Sequence, residues 1–371
     1  MDLHDMIFPG VPAPLITGPP VTIDEVTAFT RDLYSRWALP PSLIGLFADA
    51  PPDGVEWMVE LYMELMAPYD DFFHFTDSQR EYDMLFSGSS LFYGCLLQLI
   101  TYPRWPHYIP TIVNYILLYW LVDHYLDDER IPQSTRLHRA TVLRARMEDP
   151  SPHPDDDPSL AFFTAVYTSF IHDCPEGIPF LLELFDIEIE SVRTQRDPTR
   201  SLDYQLRLLY RKGGYTMAVL GVFGHMGPLT DETTRLINHQ QQVGILVQFL
   251  DDFLDYYEDR ENGYHNVITY CVDHHQLPTL LYHILHIMNG LDGINNLFRI
   301  VALHAFAYLV TTSPLCRSYG ELISFLTPYN PFPGSGRLAH ELTPRLHHYL
   351  RHRKSRLNLA PIKKRLIVWN D

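Results

Sequence analysis

Apolar residues recur at intervals of three and four along nearly the whole chain, while the alternating apolar–polar runs that mark strands are almost absent. A chain with this period buries its apolar stripes helix against helix, so the expected fold class is all-α. The spacing predicts helices over 23–37, 54–67, 78–101, 109–128, 134–147, 158–173, 178–194, 201–227, 230–259, 276–289, 294–312, 315–326 and 337–355. Residues 1–22 read as an irregular segment, rich in proline and glycine. Pro150, Pro152, Pro154 and Pro158 mark one exposed loop, and Thr327 to Gly336 a second. Neither is long enough for a domain linker and no solenoid repeat is visible, so residues 1–371 are expected to form a single helical domain.

Charge narrows the partners. The net charge of −17 disfavours nucleic acid, whose phosphates require a dense basic surface. It disfavours anionic lipid in the same way. An acidic protein that takes a polyanionic substrate needs a divalent cation between the two. Cys95, Cys174, Cys271 and Cys316 form no CxxC pair, which fits a reducing cytosol better than a disulfide scaffold. Met1 to Val21 lacks the basic and apolar regions of a signal peptide, and stretches such as Tyr115 to Val122 are far shorter than a bilayer span. A soluble, cytoplasmic protein without a membrane span is expected. The histidines show neither HExxH nor zinc spacing.

Two acidic clusters carry the chemistry. In Asp123-His-Tyr-Leu-Asp-Asp-Glu129 the carboxylates of Asp123 and Asp127 lie four residues apart, one helical turn on one face. That geometry suits hard cations, which prefer oxygen ligands. Upstream, Tyr115 and Tyr119 continue the stripe. A solvated acidic helix end is the plainer alternative, but acids at a C-terminus oppose the helix dipole. In Gln248-Phe-Leu-Asp-Asp-Phe-Leu-Asp255 the pair Asp251 and Asp255 repeats the spacing, with Gly244 and Gln248 on the turns above. Like charges at i and i+4 destabilise a bare helix. Gly244 inside a long helix costs about 1 kcal/mol against alanine, which predicts a close neighbour at its backbone.

These residues resemble the trans-isoprenyl diphosphate synthase superfamily. Val243 to Asp255 is similar to its second aspartate-rich motif, and Tyr210-Arg-Lys-Gly-Gly-Tyr-Thr216 to its Lys-Thr-Gly/Ala segment, with Gly213 where threonine is usual. Asp123-His-Tyr-Leu-Asp127 stands where the first motif, DDxxD, belongs, with His124 in place of the second aspartate. Order and spacing agree over roughly residues 85–270. The basic elements of the chain-elongating site are altered: Ser87-Gly-Ser-Ser-Leu-Phe-Tyr93 puts Ser89, Ser90 and Phe92 at basic positions, Pro132-Gln133 replaces an arginine pair, and Tyr264 follows Gly263 where lysine is usual. Without those cations isopentenyl diphosphate is not held. The combination resembles the class IB terpene synthases, and among them the fungal alpha-humulene synthases of tropolone meroterpenoid pathways.

The resemblance implies an isoprenoid-synthase helical bundle, packed as a homodimer, that ionises farnesyl diphosphate with Mg2+ (two or three ions) and cyclises it to a humulene-type sesquiterpene. It assigns Asp123 and Asp127, with Asp128 as a further candidate, to one side of the metal cluster, and Asp251, Asp252 and Asp255 to the other. Lys212 would contact the diphosphate, with Gln248 beside it; Arg211 and the group Asn262, His265 and Asn266 are weaker candidates. His124 reads best as a neighbour of the metal site. Tyr115, Tyr119, Phe163, Tyr167 and Phe170 are candidates to line the cavity around the cation, although ordinary core packing explains any one of them. The alternatives are a prenyl diphosphate synthase with a remodelled second site and a non-catalytic regulatory subunit.

Overall fold

Thr22 starts the first described helix. Its hydroxyl accepts from the Glu25 backbone N–H at 3.3 Å while the Glu25 carboxylate accepts from the Thr22 N–H at 2.8 Å, a reciprocal cap that sets the boundary of α1 (Ile23–Trp37). The computed structural model describes residues 19–41, 109–126, 131–151, 153, 158–223, 231–291 and 296–330. The predicted helices 54–67, 78–101 and 337–355 lie outside these residues, as do Ser87 to Tyr93, Asp127 and Asp128.

After α1 follow α2 (Ile109–Leu126), α3 (Gln133–Glu148), α4 (Pro158–Asp173), α5 (Ile178–Thr194), α6 (Leu202–Phe223), α7 (Asp231–Leu254) and α8 (Tyr256–Glu261). Then come α9 (Val267–Asp273), α10 (Leu277–Gly290), α11 (Asn296–Thr312) and α12 (Gly320–Leu326), with short 3-10 turns at Pro175–Gly177, Pro314–Cys316 and Thr327–Tyr329. No strand occurs among the described residues. The fold class is all-α. No described helix is long and apolar enough to cross a membrane.

Three expectations need correction. The helix over 230–259 is interrupted at Asp255, whose φ of −84° and ψ of 0° separate α7 from α8. The segment 315–326 divides into a 3-10 turn and α12, because Pro314 opens a turn that Ser313 caps. Helix α9 was not expected. Its seven residues are too few for a readable period, and Asn266 and Thr269 start it by reciprocal capping.

The packing is anchored by α6 against α7. A Cβ on Gly213 would lie 2.5 Å from the Gly244 carbonyl oxygen, and one on Gly221 would lie 2.6 Å from the Ile237 Cα. Only glycine permits this approach, so the close neighbour expected at Gly244 is the Gly213 backbone. Around this pair, α5 packs on α6, α3 on α5, and α2 on both α3 and α4. Ile112, Tyr115, Ile116 and Leu117 of α2 are fully buried, as a helix apolar on most sides requires. On the far side α10 packs on α1.

Candidate active site

Four helices line one cavity, three of them through residues at helical spacing. From α2 come Tyr115, Leu118, Tyr119 and Val122; from α4 Phe163 and Tyr167; from α5 Leu181, Leu184, Phe185 and Glu188; α3 adds Met147. The enclosed space is about 30 Å³, and the open mouth brings the empty volume among these side chains to about 440 Å³. Phe163 and Tyr167 are stacked with ring centroids 6.0 Å apart and planes 4° from parallel. The Tyr115 hydroxyl donates to the Thr216 carbonyl and ties α2 to α6. Four of the five candidate aromatic residues, Tyr115, Tyr119, Phe163 and Tyr167, line this cavity. Phe170 does not; it is buried behind Tyr115, at 6.3 Å between rings.

At the edge of this apolar wall stands a charge. Glu188 is 7% exposed, and its carboxylate lies 3.2 Å from the Lys212 ammonium. A buried carboxylate against aromatic rings is costly unless paired, and Lys212 of α6 supplies the counter-charge. Because Gly213 is pressed against Gly244, Lys212 is held beside the next turns of α7, which carry Gln248 and Asp251.

There the carboxylates lie on successive turns. Asp251, Asp255 and Asp259 follow one another at intervals of four, and the Asp255 N–H donates to the Asp251 carbonyl at 3.0 Å across the interruption. Water reaches Asp251 and Asp255, yet the surrounding protein disfavours their charge. Burial raises the Asp251 carboxyl above the usual carboxylate range, with Lys212 opposing it. Asp252 is pushed up to about 7, first by burial and then by Asp251, although Gln248 donates to it at 2.7 Å. Asp255 and Asp259 are each raised to about 6 by burial and by their acidic neighbours. At all four, Lys212 acts in the opposite direction.

Other expected site residues have other employment. The Arg211 guanidinium is bound by Glu183 at 2.7 Å and Glu190 at 2.9 Å. Asn266 caps α9 and donates to Asp259 at 2.6 Å, which brings it to the acidic stripe through a carboxylate. Gln133 donates to the Val192 carbonyl at 2.6 Å and so caps the end of α5. The Tyr264 ring lies under Arg196, at 5.3 Å. Asp123 is in the last described turn of α2, four residues beyond Tyr119.

Two site residues escaped the sequence reading. Asp259 extends the four-residue interval of Asp251 and Asp255 by one step, a signal that was available. Glu188 falls on the stripe Leu181, Leu184 and Phe185, and an acid on an apolar stripe was its only mark.

The donor set on α7 and α8 consists of carboxylate oxygens that repel one another, which suits a hard divalent cation. Among the described residues no three His, Cys, Asp or Glu side chains converge into a metal cage of their own. Mg2+ requires none, since one or two carboxylates plus phosphate oxygens and water complete its shell. No family model, curated protein or solved structure matches the chain.

Proposed function

We propose that this chain ionises an allylic diphosphate, farnesyl diphosphate in particular, and cyclises the resulting cation to a humulene-type hydrocarbon with release of diphosphate. One observation carries the reading: Lys212 pairs with Glu188 in the wall of an aromatic cavity and also acts on a stripe of charge-frustrated carboxylates. Mg2+ bound between these carboxylates and the diphosphate would supply Lewis-acid stabilisation of the leaving group. Asp251 and Asp255 would hold one side of it, with Asp123, Asp127 and Asp128 as the complementary set. Lys212 would add a point charge to the diphosphate, a role lysine commonly fills. Gln248 orients Asp252.

Beyond Lys212, the walls from α2, α4 and α5 exclude water from the isoprenoid chain. The faces of Tyr119, Phe163 and Tyr167 offer a developing cation roughly 0.5–2 kcal/mol each. Chain elongation is disfavoured because Gln133 is spent on capping α5 and Tyr264 on stacking with Arg196. The test is incubation of the full chain with farnesyl diphosphate and Mg2+, with analysis of volatile hydrocarbon and diphosphate. Cyclic hydrocarbon supports the proposal; no diphosphate release overturns it.

A further inference from the structure

An ionised allylic substrate must end its reaction by losing a proton, and the wall of the cavity contains a group able to take it. Glu188 is the only charged side chain among the described lining residues. It sits deep in α5, 7% exposed, in line with Leu184 and Phe185, so its carboxylate belongs to the wall. The hydroxyl of Tyr115 already donates to the Thr216 carbonyl, and a phenol is in any case a far weaker base than a carboxylate. The Asp251 stripe lies on the other side of Lys212, with the diphosphate end of the site.

The ion pair gives Glu188 two further properties. It holds the carboxylate in its charged form within an apolar wall, which an isolated buried acid would resist. It also links the two halves of the reaction. A diphosphate arriving over the acidic stripe competes for the Lys212 ammonium, and the charge left on Glu188 then faces the cavity as the counter-ion of the substrate cation.

We propose that Glu188 is the proton acceptor that terminates the cyclisation. Resting on the ionisation reading above, the step is a simple elimination. A C–H bond next to the cationic carbon breaks, its electron pair forms the new C=C bond, and the proton goes to a Glu188 carboxylate oxygen. Exchange with solvent after product release restores the carboxylate. A carbocation is so strong an acid that an ordinary carboxylate suffices, and position decides which proton is lost.

The experiment measures hydrocarbon and diphosphate separately, with farnesyl diphosphate and Mg2+ as probe. For Glu188→Gln the hydrocarbon formed per diphosphate released should fall by about tenfold or more, since a positioned base contributes roughly 10²–10⁴-fold. Water-quenched alcohols, or alkenes that have lost a different proton, should make up the difference. Glu188→Asp keeps the carboxylate one methylene further back and should give an intermediate ratio, which also serves if the glutamine variant does not fold. An unchanged ratio and product in the folded variants overturns the assignment. A fall in diphosphate release with the ratio intact also overturns it, because Glu188 would then act only by positioning Lys212. If the wild-type chain releases no diphosphate, the ionisation reading itself has failed and this assignment falls with it.

Discussion

The aromatic cavity and the acidic stripe that Lys212 links to it through Glu188 are built on opposite principles. On the α2, α4 and α5 side, stripes of Tyr115, Tyr119, Phe163, Tyr167 and Phe185 do what a core does, and the helices could be held together by them alone. On the α7 side, four carboxylates crowd one another on consecutive turns, and the raised protonation of Asp252, Asp255 and Asp259 measures how poorly the bare protein tolerates their charge. A fold gains nothing from such a stripe. The cost is sustained by the glycine contact between α6 and α7, which places Lys212 beside it. The aromatic side is accounted for by packing alone, whereas the acidic stripe is not.

The contrast is broken most sharply at Asp251. Asp251→Ala should lower Mg2+-dependent turnover by about 10²–10³-fold, roughly the 3–4 kcal/mol of one stabiliser of developing charge. Its melting temperature should not fall, because a repelling carboxylate is removed. Near-wild-type turnover in the folded variant would refute the role of the stripe. Gly244→Ala should do the reverse. Its new methyl group meets the Gly213 carbonyl, and thermal or denaturant unfolding should register a loss of about 1–3 kcal/mol from overpacking.

On the aromatic wall, effects should be smaller. Tyr119→Leu keeps an apolar side chain but removes a ring face, so diphosphate release should slow by an amount matching about 0.5–2 kcal/mol. Product mixtures should change with it. The smallest effect is a pH dependence. The Asp252 carboxyl, near 3.9 when unfolded and about 7 when folded, gives stability that is complete below about pH 4 and lost as pH rises through 7. Asp252→Asn should thus melt about 1–3 °C above wild type at pH 8 without metal, with the difference shrinking as pH falls from 7 and vanishing below about pH 4. Differences between variants are the proper readout. Buried His283, lowered to about 4 chiefly by desolvation, works the other way as pH drops below about 6.5.

Much of the helical layout was legible because two signals coincided. The boundaries 23–37, 158–173 and 178–194 match the structure where an apolar period ends against a cap or proline, as with Thr22, Pro158 and Pro179. The neighbour of Gly244 was legible because glycine inside a helix demands a reason. The interruption at Asp255 was hidden, since the hydrogen bonds from Asp255 and Asp259 to residues four earlier persist through it. Glu188 was hidden because its meaning depends on Lys212, on a different helix at no readable spacing. Arg211 looked like a phosphate ligand by position alone; Glu183 and Glu190, which claim it, are apparent only once α5 lies on α6.

Supplying the full chain with farnesyl diphosphate, isotopically labelled isopentenyl diphosphate and Mg2+ tests the central claim most directly. An ionising cyclase without a second diphosphate site gives unlabelled cyclic hydrocarbon and free diphosphate. Labelled C20 diphosphate as the main product, or no release of diphosphate at all, would contradict it.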